Sequence, residues 1–264
     1  MTNFIKTTVL LQADNIQLSY AGKVILRDIN FSIQDIQRPG MQQGQVVSLI
    51  GRSGIGKTQL FKILSGLQKP GDGSVTIHGG KNVQAGDMGV VFQNYYLFEW
   101  RTVYQSLMLA AKQNMQLTGS EKEMISQYAA DFHLKEELQK YPQQLSGGQR
   151  QRVSIIQQLL KGSDFLLLDE PFSGLDVCML DKITELLLQV SVSGEHKTLI
   201  IVSHDISTAA AISDTVLIMG TDNGRPGATI KKCIDLIERD LAWKKDIKLD
   251  PAFIETVEEI RQSL

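Results

Sequence analysis

Eight consecutive residues, Gly51-Arg52-Ser53-Gly54-Ile55-Gly56-Lys57-Thr58, place glycines, a lysine and a hydroxyl at the spacing G-x-x-x-x-G-K-[ST]. Glycines let a backbone curl until successive N–H groups converge on phosphate oxygens. A helix opening at Lys57 would add the positive end of its dipole to the same anion. In such a cradle Lys57 neutralises the β- and γ-phosphates and the Thr58 hydroxyl ligates Mg²⁺. Gly51, Ser53, Gly54, Gly56, Lys57, Thr58 and the adjoining Gln59 are therefore candidate nucleotide-binding residues. Farther on, Phe165-Leu166-Leu167-Leu168-Asp169-Glu170 is an apolar run ending in two carboxylates. At the carboxyl edge of a parallel sheet, Asp169 would hold Mg²⁺ directly or through water, and Glu170 would orient or deprotonate an attacking water.

Both motifs need particular elements around them. Val46-Val47-Ser48-Leu49-Ile50 reads as a strand buried on both faces, and residues 59–67 as a helix, so the glycine loop lies between strand and helix. Without those flanks a glycine-rich turn could match by chance, and the acids could be a solvated strand end. Earlier, Ile16–Tyr20 and Ile29–Ile33 alternate apolar and polar as half-buried strands, with Ala21-Gly22-Lys23 as the turn and 34–43, containing Arg38-Pro39-Gly40, as a loop. Met88–Phe92, Phe165–Asp169, Thr198–Val202 and Val216–Met219 are further strands. Residues 102–132 read as helix broken near Thr118-Gly119-Ser120, with Ser120 and Glu123 as a capping box. Residues 147–160 and 175–190 are helices, and Asp250-Pro251 opens a C-terminal helix bearing Phe253, Val257 and Ile260. The alternation implies a parallel sheet flanked by helices.

Cradle and carboxylates alone establish a P-loop nucleoside triphosphatase. Between them lies Leu145-Ser146-Gly147-Gly148-Gln149-Arg150-Gln151-Arg152. Here Ser146 and the Gly147 and Gly148 amides open a helix and form a second anion site. This segment matches the signature of ABC ATPases, and over roughly residues 10–220 the chain resembles ABC ATP-binding subunits, closest to those of nitrate, sulfonate and taurine importers. The resemblance implies an α/β fold: a P-loop NTPase core with a mostly parallel sheet, an N-terminal antiparallel β subdomain and a helical subdomain. One ABC ATPase domain would span 1–264, with the helical subdomain at about 95–160 and a helical tail at about 250–264.

The resemblance also assigns roles. Ser146, Gly147, Gly148 and Gln149 would face the γ-phosphate held by an opposite subunit, so that two chains complete two sites in a two-fold dimer. Tyr20 would stack on adenine, unless it is an ordinary strand aromatic. Gln93 would touch Mg²⁺ and the attacking water, and His204 would contact the γ-phosphate. Ser173-Gly174-Leu175-Asp176 would couple the two sites. Leu97-Phe98-Glu99-Trp100-Arg101-Thr102-Val103 resembles the importer ATPases in the region that receives a membrane subunit; the alternative is that Phe98 and Trp100 are core. The stretch 34–44 is longer than usual for the family, either as surface variation or as a partner contact.

Composition sets limits on the partners. The 264 residues are 42% apolar and 21% charged, enough for a sizeable core, and the net charge of −2 gives no general basic surface for nucleic acid. Cys178 and Cys233 have neither metal spacing nor a disulfide framework and suit a reducing compartment. No stretch approaches the roughly 18 apolar residues of a spanning helix, and no secretory signal is evident, so if the protein works at a membrane, another chain must do the crossing. The expectation is an ATP- and Mg²⁺-dependent motor at the cytoplasmic face of the inner membrane. Its partners would be an integral permease, a second ATPase copy and, in an importer, a solute-binding protein, with no nucleic acid. Import of a small organic or inorganic anion leads. The alternatives are a lipid or export system, or a soluble ABC ATPase acting on nucleic acid or ribosomes. The latter usually carries a long coiled coil, and the about 90 residues between P-loop and signature leave no room for one.

Overall fold

The computed structural model describes residues 4–37, 44–114, 120–173, 177–191, 197–244 and 246–264. In chain order its elements are β1 (Ile5–Tyr20), β2 (Lys23–Gln37), β3 (Gln45–Gly51), α1 (Lys57–Leu64), β4 (Asp72–Ile77), β5 (Lys81–Asn82), β6 (Gly89–Val91), α2 (Val103–Ala111) and α3 (Glu121–Asp131). They continue with α4 (Gly147–Lys161), β7 (Phe165–Asp169), α5 (Val177–Ser191), β8 (Thr198–Ser203), α6 (Ile206–Ala211), β9 (Thr215–Asp222), β10 (Arg225–Asp235) and α7 (Pro251–Gln262). The strands form one mixed sheet in the order β5-β4-β1-β2-β10-β9-β3-β8-β7-β6. The stretch β9-β3-β8-β7-β6 is parallel throughout, and the β5-β4-β1-β2 end is antiparallel.

The apolar runs explain the parallel half. In β7, Leu166 and Leu168 pack on one face with α4 residues such as Val153 and Ile156, while Phe165 and Leu167 pack on the other with Phe61 and Leu64 of α1. β8 divides the same way, Leu199 and Ile201 against Ile200 and Val202. A strand covered on both faces has no polar side, which is why these segments read as unbroken aliphatic runs.

The antiparallel end follows different rules. Ala21 and Gly22 both have positive φ (47° and 78°), the two-residue turn whose twist suits a hairpin. In β1 the buried positions change phase, from Leu11 and Ala13 to Ile16 and Leu18. The register shifts between Ala13 and Ile16, where Asn15 takes φ 47°. Both strands outrun the expected segments. Residues 34–37 continue β2 rather than joining a loop, because Gln34, Ile36 and Gln37 pair with Val9, Lys6 and Ile5. The rest of that expected loop, 38–43, lies outside the described residues, as does the expected helix break at Thr118-Gly119.

Other boundaries also moved. Ser120 stands at the N-cap of α3 without a side-chain capping bond, so the Ser120–Glu123 box is not formed. Among the α-helices, capping boxes form instead at α2, where Thr102 and Gln105 bond reciprocally, and at α4, between Ser146 and Gln149. The weakly apolar β4 and β10 were not expected as strands. β10 carries Pro226 and Gly227 and gains its extended form by pairing with β9. At the C-terminus the Asp250 side chain accepts from Ala252 N, Pro251 is the first residue of α7, and Phe253, Val257 and Ile260 are buried.

Candidate functional site: a phosphate cradle at the sheet edge

The C-terminal ends of β3, β7 and β8 meet the start of α1 around a cavity of about 450 Å³. Its lining comprises Tyr20, Ile25, Ser53, Gly54, Gly56, Lys57, Thr58, Gln59, Gln93, Asp169, Glu170 and His204. Local chemistry builds the cradle. Gly54 and Gly56 take φ of 76° and 113°, open to glycine and strained for other residues. Gly56 is the N-cap of α1. Helix geometry leaves the first-turn amides, including those of Lys57 and Thr58, without an intrahelical acceptor.

Lys57 is almost fully buried, and its ammonium donates to Gly51 O at 2.7 Å and Arg52 O at 3.1 Å across the loop. It lies 3.9 Å from Glu170 Oε1. Burial pulls the Lys57 pKa below the usual lysine value, against the pull of the Glu170 and Asp169 charges. Asp169 moves the other way: burial raises its pKa, the charge of Glu170 raises it further, and Lys57 and Lys62 oppose both. Two acids and one desolvated lysine thus face one small space, and added positive charge there would relieve the acids.

Glu170 is held from several directions. Its backbone takes φ 51°, unusual for a residue with a side chain, and its N–H donates to Val202 O at 2.8 Å. Its Oε2 lies 2.7 Å from His204 Nδ1 and accepts from the His204 backbone N–H at 3.2 Å and from Ser203 Oγ at 3.4 Å. Gln93 Nε2 donates to Ser173 Oγ at 3.4 Å, which leaves its carbonyl oxygen as an acceptor. The Tyr20 hydroxyl donates to Gln59 Oε1 at 3.2 Å, and its side chain is about half exposed. The Thr58 hydroxyl, the Asp169 carboxylate and the Gln93 carbonyl are hard oxygen donors, the set Mg²⁺ takes when phosphates complete its shell.

The signature residues are elsewhere. None of Ser146, Gly147, Gly148 and Gln149 lines this cavity. Ser146 Oγ accepts from Gln149 N at 3.3 Å, Gln149 Oε1 accepts from Ser146 N at 2.9 Å, and Gln149 Nε2 donates to Glu137 Oε1 at 3.0 Å. A Cβ added at Gly147 would meet nothing within 4 Å, so the backbone there is open to approach. Asp176 lies outside the described residues. Sequence reading missed Ser203 and Ile25. A hydroxyl at the carboxyl end of a parallel strand, where ligands gather, was the available signal for Ser203.

Comparison with known proteins bears directly on this arrangement. The family described as "ABC transporter" matches residues 35–173, just over half of the chain. The chain belongs to the ABC transporter family. Among curated relatives of this ABC cassette, the taurine import ATP-binding protein TauB of Escherichia coli O6:H1 is 33% identical over 93% of both chains. The aliphatic sulfonates import ATP-binding protein SsuB 2 of Pseudomonas syringae pv. tomato is 37% identical over 79% of this chain and 80% of the relative. The bicarbonate transport ATP-binding protein CmpC of Synechococcus elongatus is 34% identical over 83% of this chain, and this chain spans about a third (33%) of its length. Among solved structures, cbiO1 from Clostridium perfringens, part of the complex cbiONQ, superposes with a TM-score of 0.71 at 26% identity, covering 89% of this chain and 91% of that one. The dimeric cassette MJ0796 bound to ADP and Pi shares the fold, with a TM-score of 0.69 at 24% identity, over 86% of this chain and 99% of that one.

Proposed function

We propose that this cassette is the ATP-hydrolysing motor of a membrane transporter that imports a small anion. The observation that carries the reading is the single cavity at the sheet edge, where Lys57, Thr58, Gln93, Asp169, Glu170 and His204 converge beside the glycine loop. The loop amides and Lys57 hold the phosphates, Gln59 and Ser53 border them, and Tyr20 offers its ring to the base. Thr58, Asp169 and Gln93 would hold Mg²⁺, which when bound neutralises charge on the β- and γ-phosphates. Glu170 orients a water in line with the γ-phosphorus and accepts its proton, and Lys57 stabilises charge on the phosphoryl oxygens. An ionised carboxylate only accepts hydrogen bonds, so in the 2.7 Å contact His204 Nδ1 would be the donor to an ionised Glu170. That bond fixes the carboxylate against the strand ends.

Ser146, Gly147, Gly148 and Gln149 supply the second half of a site in a partner copy, with Asp176 in the coupling loop between sites. Their absence from the cavity of their own chain supports this division. Nucleotide then shifts the population toward a closed homodimer, and hydrolysis releases it. Among the described residues no helix is long and apolar enough to cross a membrane. The exposed Tyr96, Phe98 and Trp100, which follow Gln93 in the sequence, suit a permease contact. The relatives are named for bicarbonate transport and for sulfonate, nitrate and taurine import, small solutes that each carry an anionic group, which supports that substrate class, with a solute-binding protein as the further component. The chain would sit peripherally at the cytoplasmic face of the inner membrane. The domain reading is one ABC unit over 1–264, with a helical subdomain near 95–160 and the tail helix near 250–264.

The test is to purify the tagged chain from native membranes in mild detergent and assay its ATPase. Stoichiometric recovery of an integral membrane subunit with ATP turnover is the expected result. Recovery only with ribosomes or DNA would replace the transporter reading with the soluble one.

A further inference from the structure

We infer that Gln151 is a positioning residue: it fastens the signature helix to the backbone that sets Glu170, so the placement of α4 governs the alignment of the carboxylate. The inference rests on the reading of Glu170 as the group that activates water.

Gln151 lies in α4, five residues past the Ser146 cap, and is fully buried. Its Nε2 donates to Pro171 O at 2.7 Å, while its Oε1 has no hydrogen-bond partner among the described residues. A buried carboxamide with a bare acceptor is unfavourable, and an apolar side chain of similar volume would avoid the problem. What the amide uniquely supplies here is the bond to Pro171.

Pro171 directly follows Glu170. A residue with a side chain resists positive φ, and a residue before proline favours extended backbone, yet Glu170 stands at φ 51°. Such a conformation persists where its surroundings over-determine it. Among the described residues, three hydrogen bonds engage the backbone of this turn. Glu170 N donates to Val202 O at 2.8 Å in β8, and Ser173 N donates to Glu170 O at 3.2 Å within the turn. The third, from Gln151, comes from α4. An α-helix is stiff over five residues, so a shift of Gly147 and Gly148 on meeting a partner's phosphate moves Gln151 with it. Closure at one site is thereby transmitted to the general base of the other.

The test uses the purified full chain. Gln151→Met keeps length and volume and removes the donor. The expected result is a kcat about ten- to a hundredfold lower, the scale of a misplaced catalytic group. KM for MgATP should stay within about twofold, since the phosphate cradle is untouched. In a Glu170→Gln background, Gln151→Met should leave ATP-dependent dimer formation on size exclusion unchanged. An unaltered kcat overturns the inference. So does joint loss of kcat and of the dimer, which would make Gln151 a packing residue of α4. Gln151→Glu gives an independent readout, because a buried carboxyl donates to Pro171 O only when protonated. Its kcat relative to wild type should rise as pH falls, and a flat ratio counts against the inference. If the wild-type chain turns over no ATP, the general-base reading itself fails, and that result is distinct from a variant with normal kcat.

Discussion

His204 Nδ1 lies 2.7 Å from Glu170 Oε2, joining the ends of two neighbouring parallel strands. The register of β7 and β8, Asp169 opposite Val202, brings the two residues together across 34 positions of chain. With the carboxylate anchored this way, replacing it by an amide preserves shape and removes the base. Glu170→Gln should keep ATP affinity, lower turnover by at least about a hundredfold, and accumulate an ATP-bound dimer. Single-turnover hydrolysis and size exclusion in ATP measure this; normal turnover would remove Glu170 from its role.

Lys57 is desolvated and spends its bonds on Gly51 O and Arg52 O, so its charge is held ready for an anion at the mouth of the loop. Lys57→Ala should weaken ATP binding at least about tenfold in calorimetry. Unchanged ATP affinity would contradict the phosphate role.

Trp100 is 73% exposed and packs on Phe98 at a ring separation of 5.4 Å, an apolar pair on the surface. Trp100→Ala should leave the ATPase of the isolated chain within about twofold of wild type and cost little stability, as surface changes do. It should sharply reduce recovery of the membrane subunit from native membranes. Undiminished recovery would place the permease contact elsewhere.

Glu259 in α7 accepts from Arg239 at 2.6 and 3.1 Å and from Lys232 at 2.6 Å, and these partners lower its pKa from 4.5 to about 2. A folded-state pKa below the unfolded one means the stabilisation is present above about pH 4.5 and is lost as pH falls toward 2. The melting-temperature gap between wild type and Glu259→Gln should therefore narrow from neutral pH toward about pH 3. The side chain is partly exposed, so high salt should shrink the gap as well. A gap constant across that range would contradict the ion-pair account.

The amino-acid sequence determined what short-range physics can determine. The glycine spacing of 51–58, the doubly buried runs of β3, β7 and β8, and the Asp250-Pro251 helix start all depend on neighbours a few residues away. Their residue types leave few other conformations open. The sequence also carried the order of the motifs, hence the family. Where two local solutions competed, it misled: Ser120 is the N-cap of α3 but the Ser120–Glu123 box is absent, Thr102 and Gln105 make one at α2, and 34–37 pair as strand because Ile5 and Lys6 lie opposite them. Only the tertiary structure decided which side chains meet. The contact of His204 with Glu170, the Tyr20 bond to Gln59 and the reach of Gln151 to Pro171 depend on strand register and helix placement. Those are settled by packing of the whole core on both faces of the sheet, and no spacing along the chain encodes them.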